Sequence, residues 1–175
     1  MSLYTTLLSV SSQHTPIGRA QAQLDWSGLL LSLTRPQAKA LAYLTAPQAF
    51  TGGVAQTLSF NLASFNLAGV WDPATPSRFT ATSDGFYHAS AQVSFTGMVA
   101  GNTIQILILV NGIATVPVFI ASVRTGNGDT VQISADLNLN EGDFVEFQVQ
   151  ESQVGVVNAA ISLTWGSLVR VDNLG

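Results

Sequence analysis

Hydrophobic and polar residues alternate with a period of two through most of the chain after residue 48. The clearest case lies in residues 78–95. Tyr87, Ala89, Ala91, Val93 and Phe95 fall on one face, and His88, Ser90, Gln92 and Ser94 on the other. That period predicts a half-buried antiparallel strand. Asp84 and Gly85 stand before it and predict a tight hairpin turn, because both residue types tolerate positive φ. Residues 104–110 are almost wholly apolar and predict a central strand buried on both faces. Asn111 and Gly112 follow, the strongest two-residue hairpin signal. Residues 113–123 continue as a strand in which Pro117 marks an edge or a bulge. Residues 126–129 are rich in Gly and Asn and predict a loop. Val131, Ile133, Ala135 and Leu137 alternate with polar residues, and so do Val145, Phe147 and Val149 after a turn at 140–143. Two last strands cover 154–160 and 161–171. Upstream, Gly52 and Gly53 precede a strand over 54–62, and Asp72-Pro73 with Thr75-Pro76 makes an irregular loop. About eight to ten strands with turn signals every ~8–14 residues predict an all-β antiparallel sandwich or jelly roll.

The first 47 residues differ. They hold Leu-rich pieces interrupted by polar residues and Pro. Residues 35–44 (RPQAKALAYL) predict a short helix, with Pro36 in the first turn and Ala, Lys and Leu as helix formers. A helix of that length needs packing to persist. The expected organisation is an N-terminal anchoring arm over 1–47 and a sandwich head over 48–175.

Composition sharpens this picture. Of 175 residues, 47% are hydrophobic and only 9% charged, with a net charge of −4. Six Lys and Arg residues, scattered along the chain, do not make a phosphate-tracking surface, so nucleic acid is not an expected partner. A surface this poor in charge points to burial in an assembly. The chain has no cysteine, which excludes disulfides and thiolate metal sites. The start of the sequence lacks the basic and apolar segments of a signal peptide. No apolar run is long enough to insert across a membrane as a helix.

Four sets of residues, in order over about 48–172, resemble the jelly-roll head of the complement-one-q and tumour-necrosis-factor superfamily. Phe79-Thr80-Ala81 with Gly85-Phe86-Tyr87 is similar to the family's F-x-A and G-x-Y hairpin. The apolar run 104–110 ending in Asn111-Gly112 is similar to its apolar strand ending in Asn-Gly. Leu139, Gly142, Asp143 and Val145 match L-x-x-G-D-x-V. Ser162, Trp165 and Gly166 stand where the family has S-x-F-x-G, with Trp165 in place of Phe. The resemblance implies a trimer of identical chains about a threefold axis. It also implies that Gly85, Gly112 and Gly142 serve turns while Tyr87, Phe147 and Trp165 fill the sandwich. Such heads also form tips, knobs and spikes on bacteriophage particles and bacterial spores. The chain has no collagen-like stalk, no Cys and no signal peptide, which points away from a secreted vertebrate member. The expectation is a structural bacteriophage virion protein, made in the host cytoplasm and placed on the virion surface. It would decorate a capsid or form a short fibre, held to a capsid or fibre protein through 1–47. The alternative is a receptor-binding tip for a host-surface glycan or protein.

Catalytic chemistry finds little support. His14 and His88 are the two histidines. Ser90 and Asp84 lie near His88 in sequence, but no Gly-x-Ser-x-Gly elbow is present and no oxyanion hole is implied. Two histidines without cysteines make a poor zinc site. The loops 126–129 and 138–143 carry oxygen donors that suit calcium, although Asn, Gly and Asp are also plain turn residues. Glu141, Glu146 and Glu151 imply no paired-carboxylate cleft. The expectation is therefore no enzyme, no catalytic residue and no cofactor. Among the aromatics Trp26, Phe50, Phe60, Phe65, Trp71 and Trp165, Trp71 is the best candidate for an exposed glycan-stacking ring.

Overall fold

A computed structural model describes residues 37–96, 101–114, 119–122, 128–152, 155–157 and 163–171. Thirteen strands account for the regular structure of these residues. They are β1 (Lys39–Tyr43), β2 (Gln48–Phe50), β3 (Gln56–Thr57), β4 (Leu62–Leu67), β5 (Phe79–Thr80), β6 (Gly85–Thr96) and β7 (Thr103–Val110). The rest are β8 (Ile113–Ala114), β9 (Phe119–Ser122), β10 (Gly128–Leu139), β11 (Phe144–Glu151), β12 (Gly155–Val157) and β13 (Trp165–Arg170). All pairings are antiparallel. Among the described residues no helix is long and apolar enough to cross a membrane.

The strands form two sheets. The front sheet runs β4–β1–β13–β6–β10, with β12 continuing the β13 side of β6 and β2 flanking β12. The back sheet has β11 and β7 at its centre, with β3 and β5 beside β11 and β8 and β9 beside β7. The fold is all-β, an antiparallel jelly-roll sandwich. Strand β6 is its spine. Its twelve residues pair along their full length with β10, from Gly85 opposite Leu139 to Thr96 opposite Gly128.

Alternation sets the core. Tyr87, Ala89, Ala91, Val93 and Phe95 of β6 are buried as expected, and Val145, Phe147 and Val149 of β11 face them from the back sheet. Phe60, Phe79 and Phe147 meet edge to face with ring centroids 5.6–6.4 Å apart. This arrangement adds quadrupole complementarity to the burial of their area. Tyr87 is fully buried and its hydroxyl donates to the Ser83 carbonyl at 2.9 Å.

Several expectations are corrected. Residues 39–43 of the expected helix are strand β1, between β4 and β13. Ala38, Ala40, Ala42 and Leu44 are buried, while Lys39, Leu41 and Tyr43 are half-buried on the outer face. The Ala-rich stretch carries helix propensity, but its period of two and two sheet neighbours override a weak prior. The compact unit accordingly runs Gln37–Asn173, so 37–47 are part of the sandwich rather than the arm. Strand β7 buries one face fully and the other in part: Ile104, Ile106 and Ile108 are inside, while on the opposite face Leu109 is buried and Gln105 and Leu107 are half-exposed. Asp84 and Gly85 do not close a hairpin. Strand β5 pairs with β11 in the back sheet, and the chain then crosses to the front sheet as β6. Asn111 and Gly112 do form the expected turn between β7 and β8, with φ of 52° and 77°. Two positive values are what a type I′ turn requires. The expected bulge at Pro117 and most of the loop 126–129 lie outside the described residues, as do residues 1–36 with Trp26 and His14. Gly128 and Asp129 begin β10.

Trp71 and Trp165 exchange their expected places. Trp71 is 5% exposed, and its indole N–H donates to the Pro76 carbonyl at 3.1 Å. Asn66 clamps its backbone, donating to the Trp71 carbonyl at 2.6 Å and accepting its N–H at 3.1 Å. Asn66→Ala removes both bonds and is expected to cost about 1–3 kcal/mol, read as a lowered urea midpoint with unchanged slope. Trp165 lies half-exposed on the outer face, and Gly166 occupies the core position beside it.

Candidate interaction face

Register across the front sheet arranges its outward residues in rows. One row runs Leu67, Lys39, Val169, His88, Asp136. The next is Phe65, Leu41, Ser167, Ser90, Ser134. The third is Leu62, Tyr43, Trp165, Gln92, Gln132. Two halves result. The β4, β1 and β13 side is largely apolar, and the β6 and β10 side is amide and hydroxyl. Leu62, Phe65, Leu67, Phe86, Leu163 and Val171 are exposed large hydrophobics that belong to this face, on β4, β6 and both ends of β13. The other two among the described residues are Val54, in the bend after Gly53, and Ile113, the first residue of β8. The back sheet presents Glu146, Gln148 and Gln150 from β11, and its one large outward ring on that strand, Phe144, lies under the Arg78 guanidinium at 4.1 Å.

The polar half is internally paired. Gln132 donates to Gln92 Oε1 at 2.5 Å, and the Ser90 and Ser167 hydroxyls are 2.8 Å apart. His88 Nδ1 and Asp136 Oδ1 are 2.7 Å apart, on exposed side chains. Asp136 is an orienting acid that reading one strand at a time does not find, since it faces His88 only through the β6–β10 register. On β6 the neighbouring Ser90 hydroxyl is engaged with Ser167. A shallow depression of about 270 Å³ lies over this half, with Trp165 as its aromatic wall and His88, Ser90, Gln132 and Ser134 around it. Lys39, Tyr43, His88 and Asp136 are the ionisable side chains in the three rows. The Lys39 ammonium sits 5.9 Å from the Phe65 ring centroid.

The remaining landmarks gather at one end of the sandwich, in a structural knot. Asn111 donates to Asp143 Oδ1 at 2.8 Å, and its own Oδ1 accepts the Phe144 N–H at 3.0 Å. Asp143 also accepts the Asn140 N–H at 2.8 Å, and Asp84 accepts the Glu141 N–H at 2.7 Å. The Asn111 side chain, then the Asn140 backbone N–H, hold the Asp143 carboxyl below its usual range. Both carboxylate oxygens of Asp143, in the expected calcium loop 138–143, are thus engaged with the chain itself. No cluster of three or more His, Asp and Glu able to hold a metal is found among the described residues. Gly142 has φ of 89° in this turn, as the resemblance implies. Glu146 binds Arg78 Nε at 3.2 Å and accepts from the Ser77 hydroxyl at 3.2 Å. No two of Glu141, Glu146 and Glu151 form a facing carboxylate pair: Glu141 is at a turn, Glu146 is half-buried in an ion pair and Glu151 is inside.

The class this architecture defines is the tumour-necrosis-factor-like jelly roll. Among solved structures, murine APRIL is similar, with a TM-score of 0.61 at 12% identity in a structure at pH 8.0 and 0.59 at 11% at pH 5.0. Each match covers 78% of this chain and 100% of the other. The Eiger TNF of S. frugiperda is similar with a TM-score of 0.54 at 10% identity, over 81% of this chain and 96% of that one. No family model matches the chain. No curated protein matches it either.

Proposed function

We propose that this chain is a non-enzymatic structural jelly roll that associates with copies of itself, as a homotrimer, through the outer face of the front sheet. The carrying observation is on the front sheet: among the described residues its outer face holds six exposed large hydrophobics and little charge, whereas β11 of the back sheet presents Glu146, Gln148 and Gln150. Exposed apolar surface of that extent is a recognised mark of an interface. Resemblance to a family of trimeric heads supplies the number three. The composition, with 9% charged residues, agrees with a chain that hides much of its surface. The setting proposed is a bacteriophage virion surface. The head there decorates a capsid or forms a short fibre, and residues 1–36 attach it to a capsid or fibre protein.

A second reading keeps the same fold but makes it a receptor-binding tip. The depression beside Trp165 favours it, since an indole flanked by amides and hydroxyls suits the apolar face and hydroxyls of a sugar.

Sedimentation equilibrium of the full chain is expected to give three times the 18.4 kDa protomer mass. Phe65→Asp combined with Leu41→Asp places two charges where apolar side chains would meet a neighbour, at a cost of several kcal/mol. Association is expected to weaken at least ~100-fold, with an unchanged far-ultraviolet spectrum. A wild-type monomer at 100 µM would sink the proposal. A trimer insensitive to both changes would move the interface elsewhere.

A further inference from the structure

We infer that Glu151 is a proton-operated latch at the end of the sandwich remote from Gln37 and Val171: protonated, it stays inside and holds the loop 51–55 closed; ionised, it leaves for water and frees that loop. Glu151 is the last residue of β11 and continues the inward series Val145, Phe147, Val149. It is 1% exposed, and among the described residues neither carboxylate oxygen has a hydrogen-bond partner. Buried polar groups are nearly always paired. An unpaired carboxylate is tolerable inside as the neutral acid and costly as the anion.

Among the described residues, the elements around it offer no counter-charge. Strand β7 brings Ile104 in register, preceded by the buried Asn102. Strands β2 and β3 bring Phe50 and Gln56. Glu146, on the same strand, lies on the opposite face and is paired with Arg78. Asp129 is the other titratable residue on described strands at this end, in register with Phe95. Burial pushes the Glu151 carboxyl up to about 7. The charge state therefore changes near neutrality.

The backbone couples that change to the loop. The Glu151 carbonyl accepts the Gly53 N–H at 2.6 Å, and Gln150 donates to the Gly53 carbonyl at 2.9 Å. The Thr51 N–H donates to Gln56 at 2.5 Å. Turning the carboxylate outward twists the strand end that holds Gly53. The sign follows from a raised carboxyl in the closed state. The closed form is fully favoured below about pH 4.5, the ordinary value. It loses ground as pH rises through about 7.

Hydrogen exchange of the full chain, followed by mass spectrometry and corrected for intrinsic rates, tests the latch. Between pH 5.5 and 8.5 the opening constant for amides of 50–57 and 150–152 is expected to rise about 30-fold, with the amides of β6 unchanged. Glu151→Gln keeps the shape without the charge and is expected to hold those amides protected at both pH values. Asp129→Asn is expected to behave as wild type. A wild type with no local change, or a Glu151→Gln protein that still opens with pH, overturns the latch. Flattening by Asp129→Asn alone reassigns the switch to Asp129 and likewise overturns it.

Discussion

Phe147→Ala is expected to lower the unfolding free energy by about 3–5 kcal/mol. The ring is fully buried and stands edge-on to both Phe60 and Phe79, at 6.4 and 5.8 Å between centroids. Its removal deletes apolar area and leaves a cavity that two aromatic neighbours, held by strands, cannot collapse into. Urea unfolding followed by tryptophan fluorescence measures the loss. Phe147→Leu, which fills most of the space, is expected to recover more than half of it. A loss below about 1 kcal/mol would mean that the site relaxes and that the aromatic cluster is not the centre of the core.

Gly166→Ala is expected to cost about 1–3 kcal/mol although it adds a single methyl group. A Cβ at this position would stand 2.7 Å from Phe60 Cζ and 3.0 Å from Phe147 Cε2. The Phe60 ring cannot swing aside, because Phe79 flanks it. Phe60→Leu should relieve the clash. In a double-mutant cycle the two changes together are expected to cost less than the sum of each alone by about 1 kcal/mol or more. Additive costs would show that the methyl is accommodated by movement of β13 instead.

Gly166 also shows where reading the chain succeeds and fails. Its place in the family-like set Ser162, Trp165, Gly166 is legible, but the role assigned to the set is shifted by one residue. Trp165 is large and apolar, so it is natural to put it inside. Alternation in β13 instead turns Gly166 and Leu168 inward and leaves Trp165 on the face. Strands β6, β10 and β11 are legible because one of their faces meets water and their period of two survives. Strand β1 is not. Its buried positions are alanines, whose small size suits a sheet interior and whose propensity favours a helix. The Asp84-Gly85 turn is a true break, but nothing local says whether the chain folds back within a sheet or crosses to the other. That depends on β5 finding β11, more than sixty residues later in the chain. The His88–Asp136 pair, the row structure of the front face and the isolation of Glu151 are likewise properties of register. They exist only once distant strands are aligned.

Strand β13 joins β1 to β6 in the front sheet, pairing Lys39 with Val169 on one side and His88 with Val169 on the other. A ribosome that has made the first 160 residues has therefore produced a front sheet in two pieces. One piece is β4 with β1, and the other is β6 with β10, each showing a bare edge to solvent. Nothing in the nascent chain can fill the gap until residues 165–170 emerge. Edges left open in this way invite pairing with other chains, and closing so long a loop is slow. Removal of residues 166–175 should thus promote aggregation during synthesis, whereas the sheet closed by β13 has no such gap to offer.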